Sequence, residues 1–375
     1  MSEPDPHRAG DHRAADPAAG DSAAGDPAAG DPAAGDPAAG DRGAGRPGPA
    51  ARAPKLARRV PELARRLERI TGTEVREIRP AGSQHQWAHY QVTLADGRVA
   101  FAKAARQDLG AVFEAEARGL RWLADAHAVP LPEVLGWDTS TLAVTWLPRQ
   151  APDEHAAEQF GRDLAVLHAA GAARFGSPWP GFIATLPLGD RSGDTVTVAA
   201  EATVPGPVMA GAEAASPVAL ISGAGDWASW YAVKRLLPYL RRAAGTGVLT
   251  GSDTRLVEEV ISRIASLAGP PEPPSRIHGD CWSGNVVWSG GRGWLIDPAA
   301  QGGHRETDLA MLALFGEPHL DRILGAYQEV APLADGWRSR VPLHQLHPLL
   351  VHACLFGRSY RESVLAAARA ALAAG

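Results

Sequence analysis

Apolar residues recur at helical spacing early in the chain. In "KLARRVPELARRLERI", Leu56, Val60, Leu63, Leu67 and Ile70 stand three or four positions apart, so they share one face of a helix. Most of the charged residues between them fall on the other face. This pattern predicts an amphipathic helix at the start of the folded part of the chain.

The period then changes to that of β-strands. "HYQVTLADGRVAFAKAA" predicts two strands around Asp96–Gly97, a dipeptide that strongly favours a hairpin turn. "GAVFEAEARGLRWLADA" predicts the next helix, which ends before the Pro-rich "VPLPEVLGW", and "TLAVTWLP" predicts a short buried strand. The first part of the fold is therefore expected to be small and rich in β-structure.

The pattern from residue 149 onward is mostly helical. The helical segments are "HAAEQFGRDLAVLHAA", "DWASWYAVKRLLPYLRRA", "DTRLVEEVISRIASLAG", "ETDLAMLALFG", "HLDRILGAYQEV" and "LHQLHPLLVHACLFGRSYRESVLAAARAAL". The third starts at an Asp cap and ends at Gly269. Residues 189–225 lack a clear period and are expected to form an irregular insertion. "RIHGDCWSGNVVW" and "WLIDPA" interrupt the helices with two short strands.

This order of elements predicts an α+β protein with two lobes. Residues 55–148 are expected to form a first, β-rich lobe and residues 149–375 a second, mostly helical lobe. Residues 1–54 differ, because "DPAAG" units place Asp, Pro and Gly at a five-residue period. Such a segment has almost nothing larger than Ala to bury and cannot offset its ordering entropy. It is expected to be a disordered tail.

Composition narrows the possible partners. The net charge is −5 and the chain has two cysteines, Cys281 and Cys354. The absence of a basic excess argues against nucleic-acid binding, and the scarcity of cysteine suits a reducing cytoplasm. No apolar run reaches the roughly 18 residues that a membrane span needs, and the N-terminus lacks the apolar core of a signal peptide. The pattern predicts no particular oligomeric state.

Three polar residues between the predicted strands carry the chemistry. An amide oxygen from Asn285 and a carboxylate from Asp297 provide the oxygen ligands that Mg²⁺ prefers. Asp280 opens a loop, where a carboxylate can accept the proton of an attacking hydroxyl. Asp, then Asn, then a strand-end Asp is the order found in kinase-type phosphoryl transfer from ATP. The competing interpretation, that all three form or cap turns, is weaker for the ordered set.

Phosphoryl transfer also needs a cation on the nucleotide. Lys103 lies in the second predicted strand of the hairpin, flanked by small and apolar residues, and its partner would be Glu114 or Glu116, of which Glu116 is preferred. The loop "PAGSQHQWAHY" is expected to cover the nucleotide through backbone N–H groups. Its candidate nucleotide-binding residues are Ser83, Gln84, His85 and Gln86.

The motifs "HGDCWSGNVVW", "LIDPAAQGGHRETDLAML", "FEAEARGLRWL" and "LVHACLFGRSY" resemble those of the fructosamine kinase (ketosamine-3-kinase) family over about residues 70–370. That family belongs to the protein-kinase-like superfamily, together with aminoglycoside and choline kinases. The resemblance implies a two-lobed protein-kinase-like fold. It also implies phosphorylation, by ATP with Mg²⁺, of the 3-hydroxyl of a small-molecule ketoamine, in deglycation.

The resemblance also implies roles for individual residues. Asp280 resembles the base, Asn285 and Asp297 the metal ligands, and Lys103 and Glu116 the nucleotide ion pair. Trp282, His304, Glu306 and Asp226 are candidates for substrate contact. His278, Arg305 and Asp308 are expected to brace the catalytic loop. The chain departs from the family at Cys281, where Leu is common, and in "AGSQHQW", which lacks a second Gly and a thiol.

Alternatives remain open at this point. The acceptor could be an aminoglycoside, choline or another hydroxylated amine. A non-catalytic nucleotide-binding regulator would be expected to lack one of the key residues, and all are present. Metal-dependent hydrolysis would normally require more histidine ligands than "HGD" supplies.

Overall fold

The computed structural model describes residues 49–84, 87–189 and 226–375. Residues 53–375 form one compact unit. Most of the predicted tail and nearly all of the predicted insertion lie outside the described residues. Helix α1 begins at Pro49 and runs to Thr71, so it starts ahead of residue 55.

A five-stranded antiparallel sheet follows, in the order β1-β2-β3-β5-β4. Its strands are β1 (Val75–Gln84), β2 (Trp87–Leu94), β3 (Val99–Ala105), β4 (Val134–Trp137) and β5 (Thr141–Thr145), with helix α2 (Val112–Ala124) between β3 and β4. The predicted hairpin is confirmed, and Gly97 turns it with φ of +90°. Strand β4 lies in the Pro-rich segment, for which no strand was predicted.

The alternation of side chains along the strands gives the sheet two buried faces. Leu63 and Leu67 of α1 pack with Val92, Ala100 and other residues on one face. Phe113 and Leu120 of α2 pack on the other. Lys103 has the same parity as Phe101 and Ala105, so β3 directs it towards the face that α2 covers. The sheet and α2 together position this lysine.

The remainder of the chain is mostly helical. Its helices are α3 (Glu154–Ala169), α4 (Trp227–Tyr231), α5 (Leu237–Gly245), α6 (Gly251–Ser262), α7 (Ile264–Leu267), α8 (Glu306–Leu314), α9 (Leu320–Val330), α10 (Trp337–Phe356) and α11 (Arg361–Ala373). Two apolar clusters hold them together, one around α5, α6, α10 and α11 and the other around α3, α8 and α9. The prediction of an α+β protein is confirmed.

Three predicted helices differ in detail. The segment after Asp226 contains a π-helical stretch at Ala232–Leu236 between α4 and α5. Helix α6 is capped by Thr250, and Asp253 completes a capping box with it, so the expected Asp cap was wrong. The last predicted helix breaks at Gly357, whose φ is +78°, because a residue with positive φ cannot continue a right-handed α-helix.

Six short strands interrupt the helices. β6 (Phe182–Ile183) and β7 (Leu186–Pro187) pair with each other after α3. The strands around the polar motifs are β8 (Ser275–Ile277), β9 (Val286–Ser289), β10 (Arg292–Leu295) and β11 (Gln301–Gly303). β9 pairs with β10, and β8 pairs with β11. The region around these motifs therefore contains four strands instead of the predicted two, and the polar residues occupy the connections between them.

Candidate active site

The loop after β8 presents Asp280. Gly279 has φ of +80°, and a Cβ there would lie 2.4 Å from the backbone oxygen of Ala299, so only glycine fits this turn. The Asn285 amide nitrogen donates to both the backbone oxygen and the Oδ2 atom of Asp280, each at 2.9 Å. Asn285 therefore fixes the direction of the Asp280 carboxylate and keeps its own amide oxygen out of these bonds.

His278 connects this loop to the end of β10. Its Nδ1 accepts from the Asp280 backbone N–H at 3.3 Å, and its Nε2–H donates to the Ile296 oxygen at 2.8 Å, a tautomer assigned from these partners. Burial lowers the pKa of His278, which favours the neutral ring that these bonds require. His278 therefore positions the loop, as expected.

The Asp308 carboxylate binds the backbone of the same loop. It is fully buried and accepts from the backbone N–H groups of His278 at 2.7 Å and Gly279 at 2.9 Å, and from His168 Nε2 at 3.1 Å. Burial alone would raise the pKa of Asp308, but the hydrogen bond and charge of His168 and its other partners outweigh burial and lower it. The expected bracing role of Asp308 is confirmed, whereas Arg305 instead binds Glu272.

A buried ion cluster lies where the two parts of the chain meet. The Lys103 Nζ atom is 2.8 Å from Glu116 Oε1 and 2.7 Å from Asp297 Oδ1. Burial opposes the charge of Lys103, but the two carboxylates outweigh burial and raise its pKa. Because two carboxylates share one ammonium, burial and the charge of Asp297 raise the pKa of Glu116 to about 7, against the effect of Lys103. Lys103 is the cation of this cluster.

Helix α2 explains why Glu116, and not Glu114, reaches this cluster. Glu114 pairs instead with Arg118 at the surface, at 2.7 Å. Gly119, three residues after Glu116, lies against the chain that follows Asp297, where an added Cβ would stand 3.1 Å from the Ala300 Cβ. The missing side chain lets α2 approach closely. The preference for Glu116 as the lysine partner is confirmed.

Asp297 adopts a left-handed backbone, with φ of +55°. Among non-glycine residues, aspartate tolerates this conformation comparatively well, and such strain tends to concentrate at functional sites. The conformation places one carboxylate oxygen on Lys103. The Asn285 amide oxygen and the Asp297 carboxylate are hard oxygen donors, so the donor set fits Mg²⁺.

Asp280 has the properties of a base poised near neutral pH. Its side chain is half-buried, and burial, followed by the charge of Asp297, raises its pKa to about 7. Asn285 and Trp282 offset part of this rise. A carboxylate with this pKa can accept a hydroxyl proton without losing it at once to water.

The structure does not test the nucleotide-covering loop as a whole. Ser83 is exposed and, like Gln84, belongs to β1, where the two residues pair with Ala88 and Trp87 of β2. His85 lies outside the described residues. The nucleotide-binding roles of Ser83, Gln84 and His85 stay predictions.

The substrate candidates occupy different environments. Trp282 is half-buried and close to Asp280, whereas Asp226 is exposed and accepts from the Ser229 backbone N–H at 2.8 Å as the cap of α4. His304 and Glu306 are only 2% and 3% exposed. The structure does not bring these two to the accessible surface. Substrate contact by all four stays a prediction.

Glu306 belongs to a buried cluster with His304 and His344. Their ligand atoms lie within 4.8 Å of one another, an arrangement that could hold a metal ion. The Arg340 guanidinium, however, already pairs with Glu306, with its Nε 2.9 Å from Oε2. A metal ion would have to share the carboxylate with this cation, so the ion pair is the better description of the cluster.

Sequence patterns did not reveal Arg235 and Gln301. Arg235 lies in the π-helical stretch, is 1% exposed, and donates from Nε to Gln301 Oε1 at 3.1 Å and from Nη1 to the Leu188 oxygen at 2.8 Å. The Gln301 amide nitrogen adjoins Gly279. These contacts link α4 and α5 to the catalytic loop. No clear signal is present in the sequence, because Arg235 follows Lys234 and is one of several basic residues in its predicted helix.

Comparison with known proteins shows which family has this sequence pattern. The sequence model of the family described as "Fructosamine kinase" matches residues 61–189 and 222–373. The chain belongs to the fructosamine kinase family. It is 30% identical over 289 residues to the "probable ketoamine kinase" of Klebsiella aerogenes, covering 76% of this chain and 88% of that protein.

Solved structures agree with the family assignment. A protein of Thermobifida fusca assigned as a fructosamine-3-kinase is 48% identical, with a TM-score of 0.71, covering 83% of this chain and 98% of that one. An ADP-bound aminoglycoside phosphotransferase is 14% identical, with a TM-score of 0.50, over 84% of this chain and 97% of that one, which is a likeness of fold alone. The protein is a kinase with a protein-kinase-like fold. No helix among the described residues is long and apolar enough to cross a membrane.

Proposed function

We propose that this kinase transfers the γ-phosphoryl group of ATP to the 3-hydroxyl of a ketoamine, such as a fructosamine or ribulosamine adduct. The observation that carries the proposal is that hydrogen bonds connect the loop of Asp280 to the segment that holds Asp297, a member of the ion cluster. Asn285 orients Asp280, and His278 ties the same loop to the residue before Asp297. We therefore expect one bound nucleotide to contact both Asp280 and the ion cluster.

Each residue has one task in the proposed step. The substrate oxygen forms a bond to the γ-phosphorus while the bond from that phosphorus to the leaving oxygen of ADP breaks. Asp280 accepts the hydroxyl proton, and the charge of Lys103 stabilises the phosphate oxygens, with Glu116 holding the ammonium in place. Most of the acceleration then comes from positioning and electrostatics.

Asn285 and Asp297 would hold the magnesium ion. When bound, the ion neutralises charge on the phosphates and helps to orient them. Lys103 contacts Asp297 directly, so the nucleotide cation and this ligand belong to one electrostatic unit. Asp297 and Asn285 also change the pKa of Asp280. A change at either metal ligand is therefore expected to change the pKa of the base.

The family favours a ketoamine over other acceptors. The chain is 48% identical to the Thermobifida fusca protein and 14% identical to the aminoglycoside phosphotransferase. The net charge of −5 gives no basic surplus for nucleic acid. We place the reaction in the cytoplasm, whose reducing conditions suit a chain with only two cysteines, with ATP and a small molecule as the partners.

A coupled assay of ADP release tests this function. Wild-type protein is incubated with ATP, Mg²⁺ and fructoselysine, ribuloselysine or an aminoglycoside. Turnover with a ketoamine is expected, and turnover with the aminoglycoside alone would refute the proposed acceptor.

The Asp280→Asn variant tests the base. It is expected to lose about 10²- to 10⁴-fold in kcat while binding ATP nearly as well as wild type. Asp297→Asn should weaken binding of magnesium–ATP as well. Asp321→Asn, an exposed change on α9, is the matched control. Wild-type kcat in Asp280→Asn would refute the base assignment.

A further inference from the structure

Five aromatic side chains form a continuous strip that begins at the candidate active site. We call Trp282, Phe315, His352, Phe356 and Tyr360 the aromatic strip. Ring centroids are 5.5 Å apart for Trp282–Phe315, 5.2 Å for Phe315–His352, 5.5 Å for His352–Phe356 and 4.8 Å for His352–Tyr360. All five are partly or largely accessible to solvent. Four of the rings are half-buried and Phe356 is exposed, and contiguous apolar surface that solvent reaches is typical of binding sites.

The strip starts beside the proposed base. Trp282 follows Asp280 by two residues, and its backbone N–H donates to the Asp280 oxygen at 3.2 Å. Its side chain also affects the pKa of the Asp280 carboxyl. A Cβ on Gly284 would lie 2.2 Å from the Trp282 ring, so the indole rests directly on this glycine. The first ring is therefore fixed relative to the catalytic loop.

The far end of the strip lies at the C-terminus of α10, where the course of the backbone leaves Phe356 exposed. The His352 Nδ1–H donates to the Pro348 oxygen at 2.7 Å, which fixes that ring on α10. Gly357 ends α10 immediately after Phe356, and Phe356 is left 48% exposed. Tyr360 follows in the 3₁₀ turn at Gly357–Tyr360. A large apolar side chain is thus accessible to solvent at the end of a chain of ring contacts that starts at Trp282.

From these contacts we propose that the aromatic strip binds the amine-derived part of the ketoamine, so that the enzyme favours adducts of amines with extended apolar or aromatic groups. This inference rests on the proposed function. In a ketoamine, three bonds of about 1.5 Å each separate the carbon bearing the 3-hydroxyl from the amine nitrogen. With the hydroxyl at Asp280, the nitrogen falls near Trp282, where an aromatic face attracts an ammonium group. The amine substituent then extends over Phe315 and His352 towards Phe356.

Steady-state kinetics with two adducts test the strip. The substrates are the fructose ketoamines of methylamine and of 4-phenylbutylamine, measured by ADP release with the full-length protein. Wild type is expected to have the lower KM for the phenylbutyl adduct. Phe356→Ser should raise that KM roughly fivefold, because the exposed half of the phenylalanine side chain, which the phenyl group would cover, is lost. The ratio of the phenylbutyl KM to the methyl KM should therefore rise. Val330→Ser, equally exposed at 48% at the end of α9, is the matched control and should change neither.

The outcomes separate the two proposals. If wild type releases no ADP with either adduct, the proposed function fails. If it turns over both adducts and Phe356→Ser does not change the ratio of their KM values, the strip is not the amine site. If Phe356→Ser instead converts an oligomer to a monomer by light scattering with KM unchanged, the strip binds a second copy of the chain and the inference is wrong. Phe315→Leu, which keeps apolar volume and removes the ring, should raise KM for the phenylbutyl adduct with little change in melting temperature.

Discussion

Glu317 gives a prediction whose sign and size follow from the structure. It is 5% exposed, and neither carboxylate oxygen has a hydrogen-bond partner of good geometry among the described residues. The charge of Glu317 contributes to the raised pKa of Cys281, the residue that follows the proposed base. Trp288 lies close enough to Glu317 to offset part of the rise in the pKa of Glu317. Burial raises the pKa of Glu317 from 4.5 to about 7. A charge at this position is therefore expected to destabilise the fold.

The change in stability follows from proton linkage. Below about pH 4.5 Glu317 is protonated in both folded and unfolded chains. Between about 4.5 and 7 the unfolded chain releases the proton and the folded chain retains it, so the free energy of unfolding falls as pH rises. The rise of the Glu317 pKa from 4.5 to about 7 corresponds to about 3 kcal/mol in the free energy of unfolding. Above pH 7 both states are ionised, and this loss stays constant.

The Glu317→Gln variant removes this titration. Its buried amide carries a cost of its own, but that cost does not vary with pH, so the comparison between two pH values carries the prediction. Relative to wild type, the variant should gain about 3 kcal/mol more at pH 8 than at pH 4.5, or roughly 5 °C in melting temperature. Urea unfolding and thermal melts at both values measure it. Glu259→Gln, an exposed change on α6, is the control.

The reasoning about Glu317 would be refuted by a stability difference between Glu317→Gln and wild type that is equal at the two pH values. That result would mean that the carboxyl finds a partner or water when ionised. A difference of opposite sign, with the variant relatively weaker at pH 8, would mean that the ionised form is stabilised in the folded protein.

Three further changes test the supports of the site. Gly279→Ala should lower kcat by at least tenfold and lower the melting temperature more than Gly290→Ala does, because both have positive φ but only Gly279 faces a backbone oxygen; equal effects in kinetics and thermal melts would contradict this. Asp308→Asn should cost at least about 2 kcal/mol in urea unfolding, since a charged acceptor of two backbone N–H groups is lost; an unchanged midpoint would show that the loop is held otherwise. Thr250→Ala should cost about 1 kcal/mol and Thr250→Ser much less, and equal losses in the same measurement would rule out the cap as the cause.

The sequence by itself was sufficient to nominate the residues of a candidate site and to predict most of the local elements. Asp280, Asn285 and Asp297 were recognisable because phosphoryl transfer requires a base and oxygen ligands in a fixed order along the chain. The β2–β3 hairpin followed from a turn dipeptide between alternating strands, and α2 from its apolar period. These features depend on neighbours in sequence, so a single chain reveals them. The roles proposed for Ser83, Gln84 and His85 depended on the position of their loop, and that of Asp226 on the resemblance. These roles, like those of the base and the metal ligands, stay predictions.

Tertiary structure decided which side chains share a site. The choice of Glu116 over Glu114 depended on the face of α2 that Gly119 brings against Ala300, and the link from Arg235 through Gln301 to Gly279 joins segments far apart in sequence. The burial of Glu306 against Arg340 and the exposure of the aromatic strip were likewise invisible in one dimension. Helical and strand periods report which face of an element is apolar, but not which distant element covers it. Only packing in three dimensions determines that, and it also determines which buried charges acquire partners.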